Sequence, residues 1–170
     1  MPSALVARID LDLLYTPFLE RLLEAKARAR ARGVDYYSLE GYRTYGRSHF
    51  LYGQWLSGKG GRAAPAGASS HNFGLATDEC RDIDLTKPGL QPRWKDADYD
   101  ILGEEVQRLG LHWGAGYGDR PHVSWPGFVS RAQLAPLDKI YRHTEGDLAV
   151  KLQAVWLHVT KNSPPLPPLR

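Results

Sequence analysis

The stretch Ser69-Ser70-His71-Asn72-Phe73-Gly74-Leu75-Ala76-Thr77-Asp78 constrains this chain more than any other. It sets one imidazole and one carboxylate seven residues apart, with small residues between them. Gly74 and Ala76 allow the backbone that carries His71 and Asp78 to run close to neighbouring strands. A second stretch, Asp119-Arg120-Pro121-His122, supplies another imidazole. Two histidines and one carboxylate are a sufficient protein set for a catalytic zinc, which keeps one coordination position open. Asp119 is then free to act as a base.

The spacing Ser-x-His-x-x-Gly-x-Ala-x-Asp, followed later by an acidic residue three before a His, is carried by Ser69, His71, Gly74, Ala76, Asp78, Asp119 and His122. It resembles the zinc D-alanyl-D-alanine carboxypeptidase and L-alanyl-D-glutamate peptidase family, which includes many bacteriophage endolysins. The resemblance covers roughly residues 15 to 125. Gly41-Tyr42-Arg43, after the first expected strand, is a further match. The family likeness implies one zinc per chain, held by His71, Asp78 and His122, with Asp119 as the catalytic base. It also implies that Arg43 holds the scissile carbonyl or the developing oxyanion. A guanidinium suits that role because it stays charged and donates in a rigid fork. Ser69 is expected to orient the loop or a substrate carboxylate, and Tyr42, Trp113 and Tyr117 to line a substrate cleft. Core packing explains Trp113 and Tyr117 equally well. Ser48 stands five residues after Arg43, where family members often carry Gln, and Val123 stands where an aromatic is common.

Other residues compete for these roles. If 75–85 is a strand, alternation puts Asp82 and Asp84 on the same face as Asp78, so spacing alone leaves them open as ligands. Motif position selects Asp78. His112 is open on composition, but it matches no ligand position of the family and reads as a structural His. Cys80 is the single cysteine, so no internal disulfide forms. It reads as a small buried hydrophobe.

At 170 residues the chain is long enough for one domain with a real core. A net charge of +3 fits an ordinary soluble surface, or attraction to an anionic polymer such as a bacterial cell wall. No aromatic-basic interleaving or binding motif supports a nucleic-acid partner. No apolar run is long enough to span a bilayer. The N-terminus has no basic stretch followed by an apolar run, hence no Sec signal. The expectation is a monomer made in the cytoplasm that acts on cell wall after release.

The fold expected is α+β, a small antiparallel sheet carrying the zinc site with helices packed against it, as in Hedgehog and D-Ala-D-Ala peptidases. Helices are predicted over 16–32, with Thr16 capping and Pro17 at the first position, and over 46–55, 98–109 and 145–161. Strands are predicted over 34–39, 75–85 and 122–125, with a strand or turn at 112–114. In the second helix Phe50, Leu51, Gln54 and Trp55 are available to pack. Residues 1–14 carry Ile9, Leu11, Leu13 and Leu14 as a short arm. The Gly-, Ala- and Pro-rich 57–68 reads as a mobile loop at the cleft rim. Residues 1–170 form one zinc peptidase domain, in which about 129–170 is a C-terminal helical extension. Its stripe of Leu148, Leu152, Val155, Trp156 and Val159 packs on the catalytic part or binds wall or a partner. Residues 164–168 read as an extended, disordered proline-rich tail.

The function implied is hydrolysis of peptidoglycan stem peptides next to D-amino acids, first of all an endolysin cleaving L-alanyl-D-glutamate. A D-alanyl-D-alanine carboxypeptidase is the alternative. A non-enzymatic zinc-bearing module, like the Hedgehog signalling domain, is a third reading. The pairing of Asp119 with Arg43 argues against it, because a structural zinc needs neither.

Overall fold

The computed structural model describes residues 8–169. Of the expected N-terminal arm, residues 1–7 lie outside the described residues. Arg8 bridges to Glu40, a short 3-10 turn spans Leu11–Leu13, and Leu14 is buried.

Phe18, Leu22, Ala25 and Ala29 recur at helical spacing and form the buried stripe of α1, Thr16–Ala31. Thr16 is its first helical residue, not its cap. The cap position belongs to Tyr15, and Pro17 falls in the first turn, where its missing N–H costs nothing. Leu23 is exposed, and Ala25 and Ala29 lie on the buried face.

Five strands form one antiparallel sheet: β1 Tyr37–Glu40, β2 Ala76–Asp82, β3 Pro92–Arg93, β4 His112–Trp113 and β5 His122–Ser124. The order is β1-β2-β5-β4, with β3 paired to the far end of β2. Two pairings place the site. Asp78 of β2 lies opposite Glu40 of β1, across a register irregularity, and opposite His122 of β5. β2 stops at Asp82, three residues short of the predicted end, because Asp82 and then Asp84 turn their side chains back onto the amides of Asp84 and Thr86.

α3, Asp100–Arg108, packs against α1 through Leu102 and Val106. Two helices follow the sheet. α4, Arg131–His143, was not anticipated, although Ser130 and Gln133 form a complete capping box at its start. α5, Leu148–Asn162, matches the predicted helix and buries Leu152, Val155 and Val159. Trp156 Nε1 donates to the Phe73 carbonyl at 2.8 Å, and Trp125 Nε1 donates to Ser163 Oγ at 2.7 Å. The stripe therefore packs on the elements that carry the first motif.

The proline-rich tail is extended, as read, but it is seated. Arg21 Nη1 donates to the carbonyls of both Leu109 and Pro167, each at 2.8 Å, and Leu166 packs against the core. α2, Tyr45–Leu56, departs more from expectation. Ser48 is its one buried residue, while Phe50, Trp55 and Leu56 stand exposed. Among the described residues no helix is long and apolar enough to cross a membrane.

Candidate metal centre

His71 sits in a 3-10 turn, Ser70–Phe73, that ends on Gly74 in the left-handed region at φ 66°. A side chain at position 74 would collide with the Leu13 carbonyl oxygen, so glycine satisfies both the turn and the close approach. The turn then feeds directly into β2. The second stretch is a tight turn: the Asp119 amide donates to Gly114 O at 3.0 Å and the His122 amide to Asp119 O at 3.1 Å. β5 carries His122 from that turn to the edge of Asp78.

These elements gather His71, Asp78 and His122 so that one ligand atom from each lies within 4.8 Å of the others. Asp78 Oδ1 is the hub, 3.2 Å from His71 Nε2 and 3.1 Å from His122 Nδ1. Bonds of about 2.1 Å in a tetrahedral zinc site put neighbouring ligand atoms roughly 3.4 Å apart, so these separations suit that ion. The donor chemistry agrees. His71 Nδ1 lies 2.8 Å from the Gly41 carbonyl, which can only accept. The proton is thereby assigned to Nδ1, and Nε2 faces the Asp78 carboxylate. Two electron-rich atoms face each other there unless a proton or a cation lies between them. A backbone carbonyl on the far nitrogen is also the usual support for a metal-binding imidazole. The group can hold a single metal ion.

Burial works to raise the Asp78 carboxyl, but the two imidazoles outweigh it and hold Asp78 well below the ordinary carboxylate range. A carboxylate that stays ionised is what a cation site requires. Asp119 moves the other way. Crowding by neighbouring atoms raises its carboxyl first, and repulsion from Asp78 raises it further. Asp119 as a residue is exposed to solvent, so water moderates both effects. A carboxylate whose proton affinity is lifted is better suited to accept a proton.

Arg43 follows β1 and lies on the same cluster, its Nη2 3.5 Å from Asp78 Oδ2. Its backbone is pinned as well: Arg43 N donates to His71 O at 2.9 Å, and Arg43 O accepts from Asn72 Nδ2 at 2.8 Å. Nη2 also donates to Glu40 Oε2 at 2.6 Å, while Arg47 Nε donates to Glu40 Oε1 at 2.6 Å. Arg43 Nε is buried with no hydrogen-bond partner among the described residues, which leaves one donor of the fork uncommitted.

The remaining predicted residues divide. Tyr117 is half exposed at the rim, its ring 6.1 Å from that of His122 and stacked on His112 at 5.8 Å. Tyr42 points elsewhere, its hydroxyl 3.4 Å from that of Tyr141 on α4. Trp113 packs over Gly103 and donates to Arg120 O at 2.7 Å, so its indole belongs to the packing of β4 on α3. Ser69 precedes the 3-10 turn without capping it through its side chain. His112 is a partner of Ser124, Nδ1 to Oγ 3.4 Å, and burial lowers its pKa. Asp84 binds Thr86 and Lys87 and is held down to about 2 by them, outside the cluster. Cys80 is fully buried, and burial pushes its thiol up to about 11. It behaves as a small apolar side chain.

Three supporting residues escaped the sequence reading. Glu40 immediately precedes the Gly-Tyr-Arg motif, a signal that was available. Asn72 fills a variable position of the first motif, yet its amide joins Arg43 O, Ser48 Oγ and the Gly67 amide. Ser48 therefore supports the site through Asn72, at 2.9 Å, and its short side chain is what that contact needs. Gly114 is required by a close approach, because a Cβ there would strike the Asp119 carbonyl oxygen.

No protein-family model and no curated protein matches the chain in sequence. Eight solved chains match its structure. VanYB in complex with D-Alanine-D-Alanine is similar at TM-score 0.52 and 20% identity, over 86% of this chain and 93% of that one. The L-Ala D-Glu endopeptidase ChiX of Serratia marcescens gives 0.47 at 19% identity, over 66% of this chain and 80% of that one. A vancomycin resistance D,D-pentapeptidase VanY from a VanB-type cassette, in complex with Zn(II), gives 0.48 at 20% identity, over 78% and 79%. The likeness to VanYB defines the fold, an α+β arrangement of a small antiparallel sheet with flanking helices, as the two motifs led one to expect.

Proposed function

We propose that this chain is a zinc peptidase that hydrolyses peptidoglycan stem peptides next to D-amino acids, cleaving L-alanyl-D-glutamate as an endolysin does. The observation that carries this reading is the convergence of His71, Asp78 and His122 on one point, with Asp119 and Arg43 beside it. The likeness of the fold to VanYB, which is bound to D-Alanine-D-Alanine, supports a substrate class of this kind. D-alanyl-D-alanine carboxypeptidase activity is the alternative within that class.

His71, Asp78 and His122 would hold the zinc. When bound, zinc supplies a Lewis acid for the peptide carbonyl and lowers the pKa of water. Asp119 takes the proton of the attacking water and returns it to the leaving amine. Arg43 donates to the carbonyl oxygen as negative charge develops there, using the fork that Glu40 and Asp78 orient. Tyr117 covers the His122 side of the cluster and narrows its exposure to water.

The test pairs metal content with cleavage mapping on purified muropeptides. Wild type should hold about one zinc per chain. His71→Ala, Asp78→Ala and His122→Ala should each lose most of it. Asp119→Asn should keep zinc and lose roughly a hundredfold to ten-thousandfold in turnover, the range of a lost general base. Full zinc in two of the three ligand variants removes the ligand assignment. Lost zinc in Asp119→Asn makes Asp119 a ligand. Mass spectrometry of the products distinguishes the L-alanyl-D-glutamate cut from loss of a terminal D-alanine.

A further inference from the structure

α2 is built the wrong way round for a surface helix. Its one buried residue is polar, Ser48, while the face turned to solvent carries Phe50 and Leu56, 58% and 64% exposed. That face is continuous. Gly46, His49, Phe50, Gly53 and Leu56 recur at spacings of three and four, so they line one side of the helix, and all are exposed. A side chain at Gly46 or Gly53 would meet nothing within 4 Å. Two glycines on the open side lower the helix surface and leave Phe50 and Leu56 protruding. Trp55 is 39% exposed at the C-terminal end.

Along the segment that carries this face the formal charge has one sign. From residue 41 to residue 77 there is no Asp or Glu, and Lys59 and Arg62 stand exposed just beyond α2 with no ion pair among the described residues. Arg43 and Arg47, the other cations of the segment, are taken up by Glu40. Protruding apolar side chains beside unpaired cations match the polar boundary of a bilayer that carries anionic headgroups. A wall glycan offers ring faces and fits Phe50 or Trp55, but it gives the aliphatic Leu56 nothing to enter. A self-pairing surface would bring the cations of two copies together.

We propose that the solvent face of α2, with Lys59 and Arg62, docks this protein peripherally on an anionic lipid surface, Phe50 and Leu56 entering the headgroup boundary. Docking of this kind leaves the metal centre in the aqueous phase and requires no spanning helix. It goes beyond the peptidase reading and does not depend on it.

Co-sedimentation of the full chain with vesicles tests it, using phosphatidylcholine alone and phosphatidylcholine with phosphatidylglycerol. Wild type should bind the anionic vesicles roughly ten- to thirtyfold more tightly than the neutral ones, the effect expected of two cations near the surface. High salt should erase most of that preference. Phe50→Ser with Leu56→Ser should lower binding to both vesicle types by about tenfold or more, since each removes apolar area that enters the boundary. Lys59→Gln with Arg62→Gln should abolish the anionic preference alone. All these positions are exposed, and an unchanged melting temperature confirms that the variants fold. Equal vesicle binding by wild type and the Phe50/Leu56 variant overturns the proposal. So does binding of wild type to purified wall glycan, lost in that variant, with no vesicle binding. A dimer seen in sedimentation velocity and lost in that variant, again without vesicle binding, assigns the face to a second copy and overturns it too.

Discussion

Asp119 owes its place to a residue five positions earlier. A Cβ at Gly114 would collide with the Asp119 carbonyl oxygen and press on His122 Cβ at 3.0 Å, so a single methyl disturbs both the proposed base and one imidazole. Gly114→Ala should destabilise the fold by about 1–3 kcal/mol, as overpacking does. It should also weaken zinc retention on dialysis, because His122 shifts against Asp78. A melt and a metal assay on the same sample check both, and normal values in each would free the turn from this constraint. Arg43 is held differently, by charge. Arg43→Lys keeps the charge but loses the planar fork whose Nη2 meets both Glu40 and Asp78. Zinc content should stay normal while turnover on muropeptides falls roughly a hundredfold or more. Near-normal turnover would return Arg43 to a structural role.

At the scale of elements, Glu40 ties the end of β1 to the start of α2. Burial alone would raise its carboxyl; Arg43 and then Arg47 outweigh that and hold it below its ordinary range. The folded pKa is thus depressed below the unfolded value of about 4.3. Its contribution to stability is fully present above that unfolded value and is lost as pH falls through the folded pKa. With metal removed by a chelator, Glu40→Gln should melt below wild type at neutral pH, because it leaves two arginines short of a charge. The gap should close as pH is lowered from about 5 towards 3. A gap that stays constant across that window would mean that Glu40 acts through shape and not through charge. The same link explains how α2 holds its course with so little buried surface: Thr44 Oγ1 accepts from the Arg47 amide, and Ser48 meets Asn72.

Taken as a whole molecule, the C-terminal helices are part of what holds the candidate metal centre. Trp156 on α5 donates to the carbonyl of Phe73, inside the turn that carries His71. Tyr15 at the head of α1 meets Thr160 at 2.9 Å, so α1, α5 and the turn close on one another. Trp156→Phe keeps most of the ring but leaves that carbonyl without its donor, at a cost of about 1–3 kcal/mol. For a chain of this size the melting temperature should drop by roughly 2–4 °C per kcal/mol. Zinc should dissociate faster as well, since the turn under His71 loosens. A melting loss with unchanged zinc dissociation would separate the C-terminal helices from the site.

The donors of the metal centre were legible in the chain because they are local facts. His71, Gly74 and Asp78 lie within one turn and the start of one strand, and chemistry restricts which residue types can stand there. The helical stripe of α5 was legible for the same reason, since burial imposes a period. α4 was missed although Ser130 and Gln133 announce its start, because Pro136 inside it reads as a breaker. Tertiary structure alone decided the rest. Asp82 and Asp84 shared a periodicity with Asp78; the motif chose Asp78, and the pairing of Asp78 with His122, together with the early end of β2, sets the other two apart in space. Tyr42 and Trp113 carried the right chemistry for a cleft, but each found a nearer partner, in Tyr141 and Arg120. The proline-rich tail had the composition of a disordered segment, and a single guanidinium on α1 ordered it through a backbone carbonyl. Composition and spacing describe what a residue can do. Long-range packing decides which of the permitted contacts it makes, since an exposed Phe50 and a buried Phe73 are the same residue until neighbours arrive.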